Sequence, residues 1–525
     1  MTGKIFDRRS VLGQAAMGTL ALAAAKLALA ANIAEAAGES PSPPTPPTPS
    51  TPFNATNVNA EAKRLADQPF AKPALDLPPP FNKLNYDQYR DIRFRSEKAI
   101  WRGEHLNFEV QPFAMGWLYD MPVDIWVVDN GAASRLVANG KLFSFGPLIG
   151  PSPDDAPYGF SGFRVHGPIN RSDYFDEYAV FQGASYFRAV GRGEGYGASA
   201  RGLALNTARP GGEEFPFFRT FWLEKPKPGA TQVTLYALLD SQSTTGAYRF
   251  VIEPGETTIM DVSVTLYPRA TLPHVGIAPL TSMFLHGNAT PRRAKDFRPE
   301  VHDSEGLAIV NGSDERLWRP LNNPKTLQVS AFMDKDPRGF GLWQRDRAFR
   351  SYEDLEAHYE QRPSVWVQPK GSWGEGFIEL VEIPVENEIH DNVVAYWHPT
   401  KPLTPGGPHV FNYKLFWGRD VPTSWSGARV AKTRVGGGKK PENLLFVIDL
   451  TGPSVKDAKD LPVADVSASA GQISNVAVQR NLEISGVRVT FELTPGDAEL
   501  VELRCILKAG DQAVSETWLY RWTKP

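Results

Sequence analysis

A chain of 525 residues with 42% apolar and 22% charged content is neither disordered nor fibrous, and it is too long for one simple core. Removing the first 30 residues takes away four Lys/Arg and one Asp, leaving 52 basic against 58 acidic residues. That net charge of −6 argues against a nucleic-acid polyanion as partner.

The chain opens with Asp7-Arg8-Arg9-Ser10-Val11-Leu12-Gly13 and an Ala-rich run from Ala15 to Ala31 that Lys26 interrupts. Positive charge, a weakly apolar stretch and small residues form the layout of a removable signal, and the paired arginines point to the twin-arginine route. The run is too short and too weakly apolar to span a bilayer stably. A signal over residues 1–37 is expected, cut after Ala28-Leu29-Ala30 or Ala34-Glu35-Ala36. A Pro/Ser/Thr tract at 39–52 follows, so residues 38–75 are read as an extended, solvated linker.

From there strand signals dominate. Thr258–Tyr267 alternates with period two, as a half-buried strand does. With Val233–Asp240, Ala247–Ile252 and the turn signal Pro254-Gly255 it predicts a meander. Phe377–Pro384 and Asn392–Trp397 are further strands. Helical patterns are few: Ala60–Leu65, Asn85–Arg93 and Tyr352–Tyr359. Beyond the Gly/Lys-rich loop 435–441, Asn443–Leu450, Leu482–Leu493, Glu499–Lys508 and Ser515–Trp522 are short strands at turn-separated intervals, the pattern of an Ig-like sandwich. The chain therefore reads as all-β, with a large β-sandwich over 76–420 and an Ig-like domain over 426–525. Cys505 stands alone, so no intramolecular disulfide forms, and it reads as a small core residue.

Familiar catalytic signatures fail. Gly193-Glu194-Gly195-Tyr196-Gly197-Ala198 lacks the helix and βαβ setting of a dinucleotide loop, and no metal-binding spacing links the nine histidines. No metal or cofactor is expected. What stands out is carboxylates beside aromatics and arginines: Arg298–Ser304, Arg345-Asp346-Arg347 after Trp343, and Glu386–Asn392 bracketed by Trp366, Trp373 and Trp397. Sugar rings stack flat C–H faces on aromatics, and glycosidic bonds are cut by a pair of carboxyl groups. Surface ion pairs and buried Trp account for such stretches equally well.

Longer ordered runs carry more. Phe181–Arg188, Tyr196–Ala204, Gly212–Pro216, Phe221–Pro228, Ala278–Phe284, Trp318–Pro324 and Gly339–Arg345 closely resemble the periplasmic glucan biosynthesis family OpgG/OpgD (MdoG/MdoD), over roughly residues 80–525. The twin-arginine signal makes the chain resemble the D-type branch more than the Sec-exported G-type. The resemblance implies a galactose mutarotase-like β-sandwich followed by an Ig-like domain, and action on β-1,2-glucan in the periplasm. Some members are inverting endo-β-1,2-glucanases. By the same resemblance, Asp391 is the general acid and Asp303 the general base. Glu386, Glu388 and Asp303 are candidate like charges for the acid, and Arg298 or Arg347 the cation that holds the base ionised. His302, Trp343, Arg345, Arg347, Trp366, Trp373, Glu388, Asn392 and Tyr396 are expected to line the cleft. Trp343 and Asp346 stand where the family varies. Three functions remain open: hydrolysis, transglycosylation or cyclisation on the same site, and non-catalytic glucan binding or assembly. A membrane glucan synthase and a second copy of the chain are the candidate protein partners.

Overall fold

The computed structural model describes residues 50–150, 158–290, 296–419, 422, 425–456 and 458–524, so the expected signal lies outside it. These residues fall into two compact units, one through Pro279 with Lys401–Trp417 and one of Leu280–Thr400 with the residues from Gly418 onward.

The first unit is built on alternation. Thr258–Pro268 alternates buried and half-buried residues along its length, because successive side chains of a strand face opposite ways. It pairs antiparallel with Thr244–Glu253, and that strand with Val233–Asp240, giving the expected meander. Phe217–Glu224 and Asp124–Asp129 extend the sheet on one side and His409–Gly418 on the other. A second sheet runs Glu109–Ala114, Phe160–Arg171, Tyr174–Gln182, Tyr186–Ala189, Ser199–Arg201, all antiparallel. Between the sheets lies an aromatic core. Phe163 meets Phe221 edge-on at 4.9 Å, and Phe181 stacks between Phe163 at 5.2 Å and Phe187 at 5.3 Å.

The expected linker is folded from Thr51 onward. Helix Ala55–Ala66 begins where Asn54 accepts from Thr56 N–H at 2.9 Å while its own N–H reaches the Asn57 side chain. Such reciprocal capping satisfies donors that a helix start leaves open. Val58, Ala62 and Leu65, at helical spacing, bury against Leu238 and Ala247. Thr51 and Pro52, at the end of the Pro tract, already pair with Ala133 and Ala132.

In the second unit, Gly306–Val310 pairs with Arg316–Pro320 and Gly339–Trp343, and the latter with Ser364–Lys370. Gly306 and Gly339 are required there, since a Cβ would strike the rings of Trp318 and Trp366. Gln328–Lys335, Glu375–Glu382 and Val393–Pro399 form a separate antiparallel set. The third helical expectation, Tyr352–Tyr359, gives no α-helix but short 3₁₀ turns at Phe349–Ser351 and Tyr359–Gln361. Glu353 and His358 have positive φ. Asp354 accepts from Glu356 N–H at 2.9 Å and Ala357 N–H at 2.8 Å, a local turn that competes with helix.

Besides the two-residue Gln512–Ala513, seven strands close the chain: Arg429–Gly437, Leu444–Thr451, Val463–Ala468, Gln472–Asn481, Gly486–Thr494, Leu500–Ala509 and Thr517–Thr523. One sheet takes them in the order first, second, fifth, fourth, and the other third, sixth, seventh. That is the ABED/CFG arrangement of a constant-type Ig sandwich. Phe446 stacks on Phe491 at 5.1 Å inside it. Cys505 is buried there, and burial pushes its thiol up to about 12. The chain crosses between the units at Trp417/Gly418, beside the expected boundary, but the unit it enters there also holds Leu280–Thr400. Thr517–Thr523 pairs in parallel with Arg316–Pro320, so the sandwich continues the sheet of the preceding segment.

Candidate active site

Three segments of the second unit meet around Ser282-Met283-Phe284. On one side, Asp303 N–H donates to Met283 O at 2.8 Å, and the hairpin of Phe284–His286 with Val301–His302 fixes the register. On the other side, Asn392 N–H donates to Ser282 O at 3.0 Å. The Asn392 side chain accepts from Phe284 N–H at 2.8 Å and donates to Phe284 O and Ile383 O, each at 3.0 Å. Asp303 and Asp391, 88 residues apart in sequence, thus flank one short segment, exposed to only 1% and 3%.

Arg362, which the sequence did not single out, pairs with the Asp303 carboxylate. Its guanidinium also lies 4.3 Å from the centre of the Tyr359 ring. Burial works against that charge, but Asp303 outweighs it and holds the guanidinium above its usual value. Arg298 and Arg347 do not hold Asp303. Arg298 ties Asp296 at 2.9 Å, Asp354 at 2.9 Å and Glu388 at 3.0 Å into one knot, which raises its own pKa. Glu388 shares that one guanidinium with two other carboxylates, and Glu386 is exposed. Arg347 bonds Glu360 O at 3.3 Å, Ser364 Oγ at 3.2 Å and Arg362 O, anchoring the backbone that carries Arg362.

The expected cleft lining is largely interior. His302 is fully buried, with Nδ1 2.9 Å from Gln344 Oε1 and Nε2 3.1 Å from Glu300 Oε2. Burial would strip its proton, but Glu300 reverses the balance and raises its pKa. Trp343 and Trp366 pack on each other at 5.5 Å, and Trp373 lies against Trp397 at 6.3 Å. Tyr396 is fully buried and donates to Glu379 at 2.5 Å. Arg345 lies 3.5 Å from the centre of the Trp318 ring and pairs with Glu516 at 2.7 Å, joining the sheet to the Ig-like sandwich. Asn392 serves the backbone joint. The sequence showed the residue types that bind sugars, and its strand pattern placed Tyr396 in a strand; the structure adds strands Gly339–Trp343 and Ser364–Lys370, whose buried faces claim Trp343 and Trp366.

The exposed apolar side chains lie elsewhere. Phe297, Leu355 and Ile389 each adjoin a member of the Arg298 knot and are exposed to 69%, 79% and 38%. Among the described residues no cluster of His, Cys, Asp or Glu is disposed to hold a metal. A cavity of about 710 Å³ opens in the first unit, between Phe53, Asn130, Lys225 and Tyr236, but neither aspartate lines it. Lys225 there is already paired with Glu104 at 2.7 Å and Asp129 at 3.0 Å.

Residues 53–522 match the family model described as periplasmic glucan biosynthesis protein, MdoG. The chain belongs to that family. It is 50% identical over 472 residues to glucans biosynthesis protein G of Rhodopseudomonas palustris strain BisA53, covering 90% of this chain and 93% of the relative. The proteins of the same name from Shewanella frigidimarina and from Vibrio cholerae O395 are 49% and 47% identical. Each comparison covers 90% of this chain, and 85% and 87% of the respective relative. These relatives carry the G-type name, so the tilt toward the D-type branch rests on Arg8-Arg9 alone. Membership makes this a periplasmic glucan biosynthesis protein.

Proposed function

We propose that the protein is an anomer-inverting endo-β-1,2-glucanase acting in periplasmic glucan biosynthesis. Asp391 gives its proton to the leaving glycosidic oxygen, and Asp303 takes one from the attacking water. The observation that carries this reading is the joint at 282–284, which holds two buried carboxylates on its opposite sides. Adjacent strands lie about 4.8 Å apart, so backbones on two sides of one segment are about 9–10 Å apart. Inverting enzymes keep their carboxyls roughly 6.5–9.5 Å apart to admit a water, whereas retaining enzymes hold them at about 5–5.5 Å. The inverting reading therefore requires the Asp303 and Asp391 carboxyls to stand in the wider range, and the anomer formed first tests it.

Arg362 orients the Asp303 carboxylate, and the Asn392 side chain fixes the backbone that carries Asp391. Phe297, Leu355 and Ile389 offer apolar faces to sugar rings in place of the buried tryptophans. The relatives' name supports a glucan substrate. The Arg8-Arg9 segment directs export by the twin-arginine route, and changing both arginines to lysine should leave the protein in the cytoplasm.

The test is incubation of the purified protein with linear β-1,2-glucan, with products sized by mass. New reducing ends support hydrolysis. Products one water lighter than their linear counterparts would replace it with cyclisation, and bound but unchanged glucan would replace it with a binding role.

A further inference from the structure

The second unit holds a buried charge cluster that the reaction above does not use. Glu300 lies three residues before Asp303, is 2% exposed, and accepts from the Asn288 side chain. Asp346 follows strand Gly339–Trp343 and accepts from Ala348 N–H at 3.0 Å and Ser351 Oγ at 2.7 Å. Half-buried Glu305 accepts from Asp346 N–H at 3.2 Å. Burial raises Glu305, and the charge of Glu300 adds to the rise. These carboxylates would repel one another without cations.

One of the cations facing them comes from the Ig-like sandwich. Lys432, on strand Arg429–Gly437, places Nζ 2.9 Å from Asp346 and 3.2 Å from Glu300, with its side chain 20% exposed. Burial disfavours the ammonium, but Glu300 and Asp346 more than restore it. His302 bridges from there to the site: Glu300 binds Nε2, and Nδ1 meets the Gln344 side chain. Gln344 Nε2 donates to His302 O at 3.0 Å and to Tyr359 O at 3.1 Å. The first carbonyl joins His302 to Asp303. The second opens the turn that leads to Arg362. Both members of the Asp303–Arg362 pair thus hang from one framework, and Lys432 closes its far end.

We propose that Lys432 is a positioning residue for glucan cleavage: by neutralising Glu300 and Asp346 it holds the His302–Gln344–Tyr359 framework, and so sets Asp303 against Arg362. The proposal rests on the reading of Asp303 as general base. It makes the Ig-like sandwich part of the reaction apparatus instead of an appended module. Removing one partner of a buried ion cluster leaves charge uncompensated, and the structure relieves that by moving.

The test uses the full chain with Lys432→Met and Lys432→Arg. Lys432→Met should lower kcat on linear β-1,2-glucan by about tenfold or more with KM within about twofold. Amide hydrogen exchange across 300–304 and 359–362 should speed up by about tenfold, while 233–268 keeps its parental rate. Lys432→Arg should recover most of both, because it restores the charge. Unchanged exchange at 300–304, a loss confined to KM, or an Arg variant no better than Met overturns the proposal. Should Lys432→Met not fold, Asp346→Asn/Lys432→Met removes one of the facing carboxylates and is measured in its place. A parent that cleaves no glucan overturns the reading of Asp303 instead, and exchange alone then decides whether Lys432 holds the framework.

Discussion

Both units bury charge, the first at Arg201–Glu213 and Asp240, but the second buries more of it. Between the sheets of the first unit lie rings: Phe163, Phe181, Phe187, Phe221 and Phe250 pack at 4.9–5.5 Å. The interior of the second unit holds Glu300, His302, Asp303, Asp391 and Asn392 at 3% exposure or less. It also buries the pairs Arg319–Glu382 at 2.9 Å and Arg345–Glu516 at 2.7 Å. Apolar burial stabilises with little dependence on geometry, whereas a buried charge costs several kcal/mol unless its partners are well placed. A chain that could have filled the second interior with Phe and Leu carries carboxylates there, the arrangement that the proposed reaction would need.

The largest expected effect separates the units by activity. Asp391→Asn and Asp303→Asn should each lower kcat by about 10²–10⁴-fold, the usual contribution of a general acid or base; Asp391→Asn should melt near the parent, whereas Asp303→Asn should melt lower because it leaves the buried Arg362 charge without its partner. Reducing-end assays and calorimetry on the same samples check both halves. Full activity in either variant would remove that residue from the chemistry. Next comes Arg362→Met, which strands a buried carboxylate. It should cost about 3–5 kcal/mol by denaturant unfolding and lower turnover as well. Phe181→Ala should cost a similar 3–5 kcal/mol through its cavity, yet leave kcat per folded molecule at the parental value. A kcat loss with intact folding would break the contrast between the regions.

Two smaller effects run in opposite pH directions. Glu300 raises the folded pKa of His302, so the stability His302 contributes is fully present below about pH 6.5 and is lost as pH rises through the raised value. His302→Gln should therefore differ most from the parent in melting temperature at low pH and converge with it as pH rises. In the Ig-like sandwich, burial opposes the Asp449 charge, but Arg488, Arg434 and Asn481 outweigh it and lower its pKa. Its contribution is present above the usual 3.8 and is lost as pH falls through the lowered value. Asp449→Asn should lower the melting temperature at neutral pH and converge with the parent in acid. Divergence that grows in the other direction would contradict the assignment of either group.

The same contrast sets what the sequence disclosed. Strands read well where one face is buried, because alternation at Thr258–Pro268 is a local signal. Turn residues disclosed four of the Ig-like strands, whereas Arg429–Gly437, Val463–Ala468 and Gln472–Asn481 were not read. Asp303 and Asp391 came from family resemblance, and their meeting at Ser282–Phe284 depends on pairing that no local pattern encodes. Arg362 was missed because an arginine in a loop resembles any surface charge until the fold buries it. Trp343, Trp366 and Tyr396, expected at the cleft, stand in strands with their side chains buried, a burial that aromatic type alone does not disclose. Only the second half of helix Ala55–Ala66 was read, as Ala60–Leu65, although Asn54 and Asn57 carry the capping signal of its start.

The most direct measurement follows the anomeric protons by ¹H NMR as the purified parent protein cuts linear β-1,2-glucan. The account predicts new reducing ends that appear first as the α-anomer and then equilibrate, with none formed by Asp391→Asn. First appearance of the β-anomer, or no new reducing ends at all, would contradict it.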